Sequence, residues 1–173
     1  MVSLSTDRLI LRPIASSDLP ALEVFWNDPE VRRYLWADQI MSRETVSEII
    51  AASETCFEQL GSGFFAIEVA ENPGVLVGFC GHRRFEDDAQ VELLYGILPE
   101  YWGKGYVTEA AVEVLRYGFA NCGIERVIAA TDTPNQASVR VMQRLGMVFE
   151  ERREFHGLDT VFYALTSSDF AAA

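Results

Sequence analysis

The stretch YWGKGYVTEA, residues 101–110, follows the apolar run VELLYGIL and passes at once into a helical pattern. A strand that stops at Pro99 and a helix that starts a few residues later leave room only for a tight loop. Gly103 and Gly105 let such a loop bend sharply, or let its backbone approach another molecule closely. The first N–H groups of the next helix have no partner inside it, so the loop reads as a seat for an anion, a phosphate above all. Two glycines that only make the turn are the other reading. In either case a strand end, a loop and a helix start meet at one point of the fold.

The rest of the chain supplies what surrounds that point. Alternation predicts a strand over 8–13, and Ser17–Asp18 opens a helix ending near Asn27–Asp28–Pro29. A second helix is expected over 43–60, with Val46, Ile49, Ile50, Phe57 and Leu60 on one stripe and Gly61-Ser62-Gly63 at its end. Residues 64–70 and 75–82 make a hairpin about Glu71-Asn72-Pro73-Gly74, 83–88 a charged turn and 90–98 a third strand. A helix over 104–121, a strand over 126–131, a helix over 136–145 and a closing hairpin of 147–154 with 159–166 complete the order. This is an α/β order with a mixed sheet, not a doubly wound parallel one. At 173 residues, 49% of them hydrophobic, the chain can build one core and is expected to form one domain, 1–173.

Charge narrows the partners. A formal net charge of −12 is the wrong sign for sequence-independent binding to nucleic acid or to an anionic membrane, and it fits a cationic substrate. MVSLSTDRLI has no basic segment ahead of a long apolar run, and no 18-residue apolar stretch occurs, so a cytoplasmic protein without a membrane span is expected. Cys56, Cys80 and Cys122 lack CxxC spacing and read as free thiols in a reducing compartment, with no metal site. His82 and His156 read as surface or turn residues.

Familiar phosphate patterns fail at the loop. A P-loop needs Ser or Thr after its lysine, but Gly105 follows Lys104; a dinucleotide fingerprint needs glycine where Thr108 stands. Gly61-Ser62-Gly63-Phe64-Phe65-Ala66 lies after a helix and before a strand, the reverse of the dinucleotide context. Read together, however, VELLYGILPEYWGKGYVTEA, TDTPNQASVRVMQRLGMVFE and the opening TDRLILRPI resemble the GNAT superfamily of acetyl-CoA-dependent N-acetyltransferases. The likeness is to its RimJ/RimL branch in particular, which acetylates N-terminal amines of ribosomal proteins, and it runs from about residue 6 to 166. It implies a single-domain GNAT fold, with a mixed, mostly antiparallel sheet splayed at the cofactor site and flanked by helices, acetyl-CoA as co-substrate and no metal. The family loop is [QR]xxGx[GA]; this chain departs from it with Trp102 in the first place and Val107 in the last.

By that resemblance, main-chain N–H groups of Gly103, Gly105, Tyr106, Val107 and Thr108 converge on the pyrophosphate, each worth roughly 1.5–3 kcal/mol when well aligned. Lys104 adds positive charge or is a solvated surface lysine; Arg140 and Arg144 lean toward the phosphates or form a solvated face. Gly96, Ile97 and Leu98 pair through their main chain with the pantetheine arm, one N–H there stabilising the oxyanion. Glu92, on the strand face of Leu94 and Gly96, matches a base near the amine in relatives; a structural ion pair with Arg83 or Arg84 is the alternative for a carboxylate among apolar residues. Asn135 caps the following helix and joins the cofactor site. Many relatives protonate the leaving thiolate with a Tyr on this helix, which this chain lacks; the RimJ/RimL branch has Ser in the NxxS position, and that resemblance gives Ser138 the role of acid or hydrogen-bond donor.

The implied activity is direct transfer of acetyl to a primary amine in a ternary complex. An α-amine has a pKa of ~7.7–8.0 against ~10.4 for lysine, and freeing the latter near neutral pH costs about 3.5 kcal/mol more. One exposed carboxylate suffices for the first and is marginal for the second. A protein or peptide N-terminus therefore leads, with small amines (polyamine, antibiotic, amino acid) second. A module that senses acetyl-CoA without transferring is the rival class, and the presence of Glu92 and Ser138 speaks against it. The protein is expected as a monomer or homodimer. Phe25, Trp26, Tyr34 and Trp36 line the acceptor pocket or belong to the core.

Overall fold

The structure is a computed structural model that describes residues 2–86 and 90–172. Among them the strands are β1 (Leu4–Ser5), β2 (Leu9–Pro13), β3 (Phe64–Val69), β4 (Leu76–Phe85), β5 (Gln90–Ile97), β6 (Arg126–Asp132), β7 (Val148–Phe155) and β8 (Leu158–Thr166). They form one sheet in the order β1-β2-β3-β4-β5-β6-β8-β7. Every neighbouring pair is antiparallel except β5 with β6, which the chain joins by a helical crossover. The helices are α1 (Leu19–Asn27), α2 (Pro29–Arg32), α3 (Arg43–Leu60), α4 (Tyr106–Asn121), α5 (Gln136–Arg144) and α6 (Ser167–Ala172).

Local chemistry explains the boundaries. Asp28 caps α2 by accepting from the N–H groups of Glu30 and Val31, with Pro29 at the first helical position, where a missing N–H costs nothing. Ser42 caps α3, whose far end is closed by Gly61 in the left-handed conformation. Arg83, Arg84 and Phe85, expected in a turn, extend β4 by pairing with Glu92, Val91 and Gln90. Strand pairing, invisible in a charged sequence, overrides the turn-like composition there; Asp87 and Asp88 of the expected turn lie outside the described residues. The short elements β1, α2 and α6 carry too few residues to show a period, and none was expected. The helix expected from residue 104 starts at Tyr106, because Gly105 is its left-handed N-cap.

Strand alternation sorts the interior into two cores. On one face Leu9, Leu11, Phe65, Ile67, Leu93, Tyr95 and Ile97 meet α4 and α5. On the other, Phe64, Ala66, Phe79 and Leu94 meet α1 and the first half of α3. Phe25 and Trp26 belong to this second core, where Trp26 packs edge-on against Phe79 at 5.5 Å. His82 is not a surface residue: it is 1% exposed, and its Nδ1 contacts the Ser62 hydroxyl at 2.8 Å. It fits because α4 carries Gly118 opposite; a Cβ there would stand 2.7 Å from the imidazole Cε1. His156 does sit in the turn between β7 and β8, its Nε2 2.8 Å from Glu86.

Candidate active site

The site begins where β5 loses a neighbour. β6 pairs with it only at Val91–Val127 and Glu92–Ile128, and the two strands then diverge. On its other edge β5 stays paired with β4, and the Leu98 N–H donates to the Val77 carbonyl at 2.9 Å. Antiparallel pairs alternate, so the N–H of Gly96 also faces β4, whereas those of Tyr95 and Ile97 face the gap left by β6. The Ile97 carbonyl in that gap accepts from the Trp102 indole N–H at 3.0 Å. Trp102 therefore ties the end of the splayed strand to the start of the loop.

A cleft of about 710 Å³ runs from the gap across the loop to α5. Gly103 and Gly105 border it, both left-handed at φ +73° and +79°, a conformation costly for any side chain. The first helical bond of α4 runs from the Glu109 N–H to the Gly105 carbonyl at 3.0 Å, so the N–H groups of 106–108 precede the intrahelical ladder. Tyr106, Val107 and Thr108 all border the cleft, and so do Arg140 and Arg144. Val107 packs partly against the core, which absorbs its extra bulk.

The loop is held from behind by Arg8, from the TDRLILRPI opening. Its Nη1 donates to the Lys104 carbonyl at 2.9 Å, its Nε to Glu109 Oε2 at 2.7 Å, and its guanidinium lies 4.7 Å from the centre of the Tyr106 ring. Thr6 completes the anchor with a hydrogen bond to Glu109. Lys104 itself does not border the cleft; its ammonium lies over the Tyr101 ring at 5.1 Å.

Across the cleft, Asn135 caps α5 by accepting from the Ser138 N–H at 3.3 Å, and its amide donates to the Thr131 hydroxyl at 3.0 Å. Ser138 is not alone. The Tyr95 hydroxyl, reaching over from β5, lies 2.9 Å from Ser138 Oγ and 3.2 Å from the Ser138 carbonyl. Burial pushes the Tyr95 hydroxyl pKa well above its ordinary value, which keeps it neutral. Alternation along VELLYGI places Tyr95 on the α5 side, opposite to Glu92, and was the available signal for this partner.

Of the predicted site residues, Gly96, Ile97, Gly103, Gly105, Tyr106, Val107, Thr108, Asn135 and Ser138 border one cleft. Glu92, Leu98 and Lys104 do not. Glu92, expected to be exposed, is 5% exposed, and its Oε2 accepts from Arg83 Nε at 2.7 Å. Burial raises its pKa above the usual carboxylate range, and the Arg83 charge offsets only part of that rise. Arg83 lies over the Trp36 ring at 5.4 Å. Trp36, Ala37 and Asp38 form a left-handed turn with φ of 54–57°, a strained run for three residues with side chains. Tyr34 borders the cleft together with Glu30 and Arg33.

A divided sheet beside a loop whose main-chain N–H groups border the same cleft has the shape and donors to suit an extended ligand with an anionic head. Comparison names the class: an acetyltransferase (GNAT) domain matches residues 8–148, and the chain belongs to that family. It is an acetyl-CoA-dependent N-acetyltransferase. An uncharacterized N-acetyltransferase, YoaA, of Bacillus subtilis (strain 168) is 30% identical over 83% of this chain and 81% of its own. A spermidine N(1)-acetyltransferase of Escherichia coli (strain K12) is 25% identical over 81% of this chain and 73% of its own. The solved structure of RimL, a ribosomal L7/L12 alpha-N-protein acetyltransferase in complex with coenzyme A, superposes with a TM-score of 0.79 at 17% identity, covering 95% of this chain and 98% of that one.

The cradle fits the co-substrate on its own terms. The 106–108 N–H groups offer donors for a pyrophosphate, two arginines border the same cleft, and the N–H of Ile97 opens onto the gap. Among the described residues no group of three or more His, Cys, Asp or Glu side chains could hold a metal ion. Among them, too, no helix is long and apolar enough to cross a membrane.

Proposed function

We propose that this enzyme acetylates the α-amine of a peptide or protein N-terminus, as in the RimJ/RimL branch. Acetyl-CoA supplies the thioester: nitrogen bonds the acetyl carbon, the carbon–sulfur bond breaks with its pair on sulfur, and nitrogen loses a proton to solvent. The 106–108 N–H groups, with Gly103 and Gly105 giving access, hold the pyrophosphate, and Arg140 and Arg144 add charge beside it. The Ile97 N–H faces the thioester carbonyl and stabilises the oxyanion. Ser138 donates a hydrogen bond to the departing sulfur, a leaving group with a thiol pKa of ~8.5 that needs no strong acid.

The observation that carries the choice of acceptor is the engagement of Glu92 by Arg83. A carboxylate committed to a guanidinium and set back from the cleft does not reach the amine's proton, so the favoured amine is one already neutral in useful amount, an α-amine at ~7.7–8.0. The acceptor end also offers one carboxylate, Glu30, beside Arg33, which suits a monoamine better than a polycation. Three free cysteines support a reducing, cytoplasmic setting. The test is acetylation of a peptide library alongside spermidine and spermine, read by mass spectrometry. Acetyl groups on peptide α-amines are expected; modification confined to the polyamines would overturn the reading.

A further inference from the structure

Two neutral hydroxyls face each other across the splay, one on a strand and one on a helix, and so far only the helix residue has a role. We propose that Tyr95 is the positioning residue that aims the Ser138 hydroxyl at the sulfur. This rests on the reading of Ser138 as the sulfur's hydrogen-bond donor.

The geometry leaves the Tyr95 proton two acceptors. If it goes to the Ser138 carbonyl at 3.2 Å, the serine proton points back to the tyrosine oxygen at 2.9 Å and is lost to the cleft. If it goes to Ser138 Oγ, the serine proton is turned outward. A hydroxyl paired only with solvent would rotate freely, whereas a half-buried donor held on a paired strand favours these two orientations. An anionic sulfur in the cleft selects the second, because a hydrogen bond to a charged acceptor is about twice as strong as one between neutral groups.

The ring keeps that direction fixed. Tyr95 packs against the cofactor-face core, on a strand paired throughout with β4. Its partner's helix is set by the Asn135 cap and the Thr131 hydroxyl behind it. The tyrosine gives up no proton to sulfur. It acts as a neutral donor, and the sulfur takes its proton from solvent after departure.

Coenzyme A alone is the probe, so no acceptor need be known. The thiol of bound CoA is titrated by thiolate absorbance in the wild type, Tyr95→Phe, Ser138→Ala and the double variant, with thermal melts to confirm folding. A hydrogen bond to an anion is worth roughly 1.5–3 kcal/mol, about 1–2 pKa units. Ser138→Ala should raise the bound thiol pKa by about one unit. Tyr95→Phe should raise it by about half a unit or more with the CoA Kd within threefold, and the double variant should match Ser138→Ala. A shift in Ser138→Ala with none in Tyr95→Phe overturns the Tyr95 role alone, and so do additive shifts in the double variant. No shift in Ser138→Ala overturns the reading of Ser138, and the Tyr95 role with it. Should Tyr95→Phe not fold, carbon-13 labelling of the tyrosine ring in wild type and Ser138→Ala decides the matter. CoA should move the Tyr95 resonance in the first and not in the second; equal behaviour in both contradicts the proposal.

Discussion

The two faces of the sheet differ in where they bury carboxylates. Beside α1 and α3 the buried carboxylates are paired, Asp18 and Glu68 with Arg12 at 2.8 and 2.7 Å and Glu92 with Arg83 at 2.7 Å, and the neutral Ser53 hydroxyl accepts from the Phe64 N–H at 2.8 Å. Beside α4 and α5 the fully buried pair is neutral, His82 with Ser62, the half-buried Tyr95 and Ser138 hydroxyls pair with each other, and the ion pair of Arg8 with Glu109 lies nearer the surface. Burial would raise the Asp18 carboxyl, but Arg12 and the Ala15 N–H hold it below the usual range. Burial alone drives His82 down to about 4, with no charge to oppose it. The lesson concerns function. On the proposed function, the α4/α5 face buries no carboxylate of its own among the described residues and leaves the pyrophosphate and the sulfur to be served there by main chain and hydroxyls. On the same proposal, the face of fixed ion pairs shapes the acceptor side and supplies no free base.

The largest expected effect would break this comparison in acid. His82 must stay neutral to remain buried, so its folded pKa of about 4 lies below the unfolded value near 6.5. Stability from this group is full above pH 6.5 and is lost as pH falls toward 4, by about 3 kcal/mol at 1.36 kcal/mol per unit. Urea unfolding of the wild type and of His82→Leu, compared from pH 7 to 4, measures it. The variant should show a flatter dependence; equal slopes would mean that the imidazole is not neutral and buried.

Next in size is the main-chain cradle. Gly105→Val places a β-branched residue at φ +79° and shifts the N–H groups of 106–108. The acetyl-CoA Kd, by calorimetry, should rise tenfold or more, at least about 1.4 kcal/mol, while the melting curve remains cooperative. Unchanged affinity would mean that the glycines serve only the turn.

Legibility in the sequence divides along the same line. The elements around the cleft were readable because their devices are local: two glycines before a helix, Asn135 as a cap three residues ahead of Ser138, alternation along VELLYGI. The element order and the mixed sheet followed from periodicity. What stayed hidden depends on residues far apart in the chain. Arg8 reaches the loop from nearly a hundred positions away, and Tyr95 meets Ser138 across a gap that exists only because β5 and β6 diverge. His82 looked superficial because nothing local announces Ser62 or Gly118. Glu92 admitted two roles in the sequence, and its register opposite Arg83 decided its partner.

The smallest expected effect tests the central claim most directly: that the enzyme receives an α-amine already neutral and needs no base from the acceptor face. The measurement is the pH dependence of kcat/KM for a lysine-free peptide with a free N-terminus, in wild type and Glu92→Gln. The account predicts that both rise with pH, level off above the amine's own pKa of ~7.7–8.0, and differ by less than about threefold throughout, a difference under about 0.7 kcal/mol. A deficit of tenfold or more in Glu92→Gln below pH 7 that closes as the pH rises would contradict it, and would make Glu92 the base.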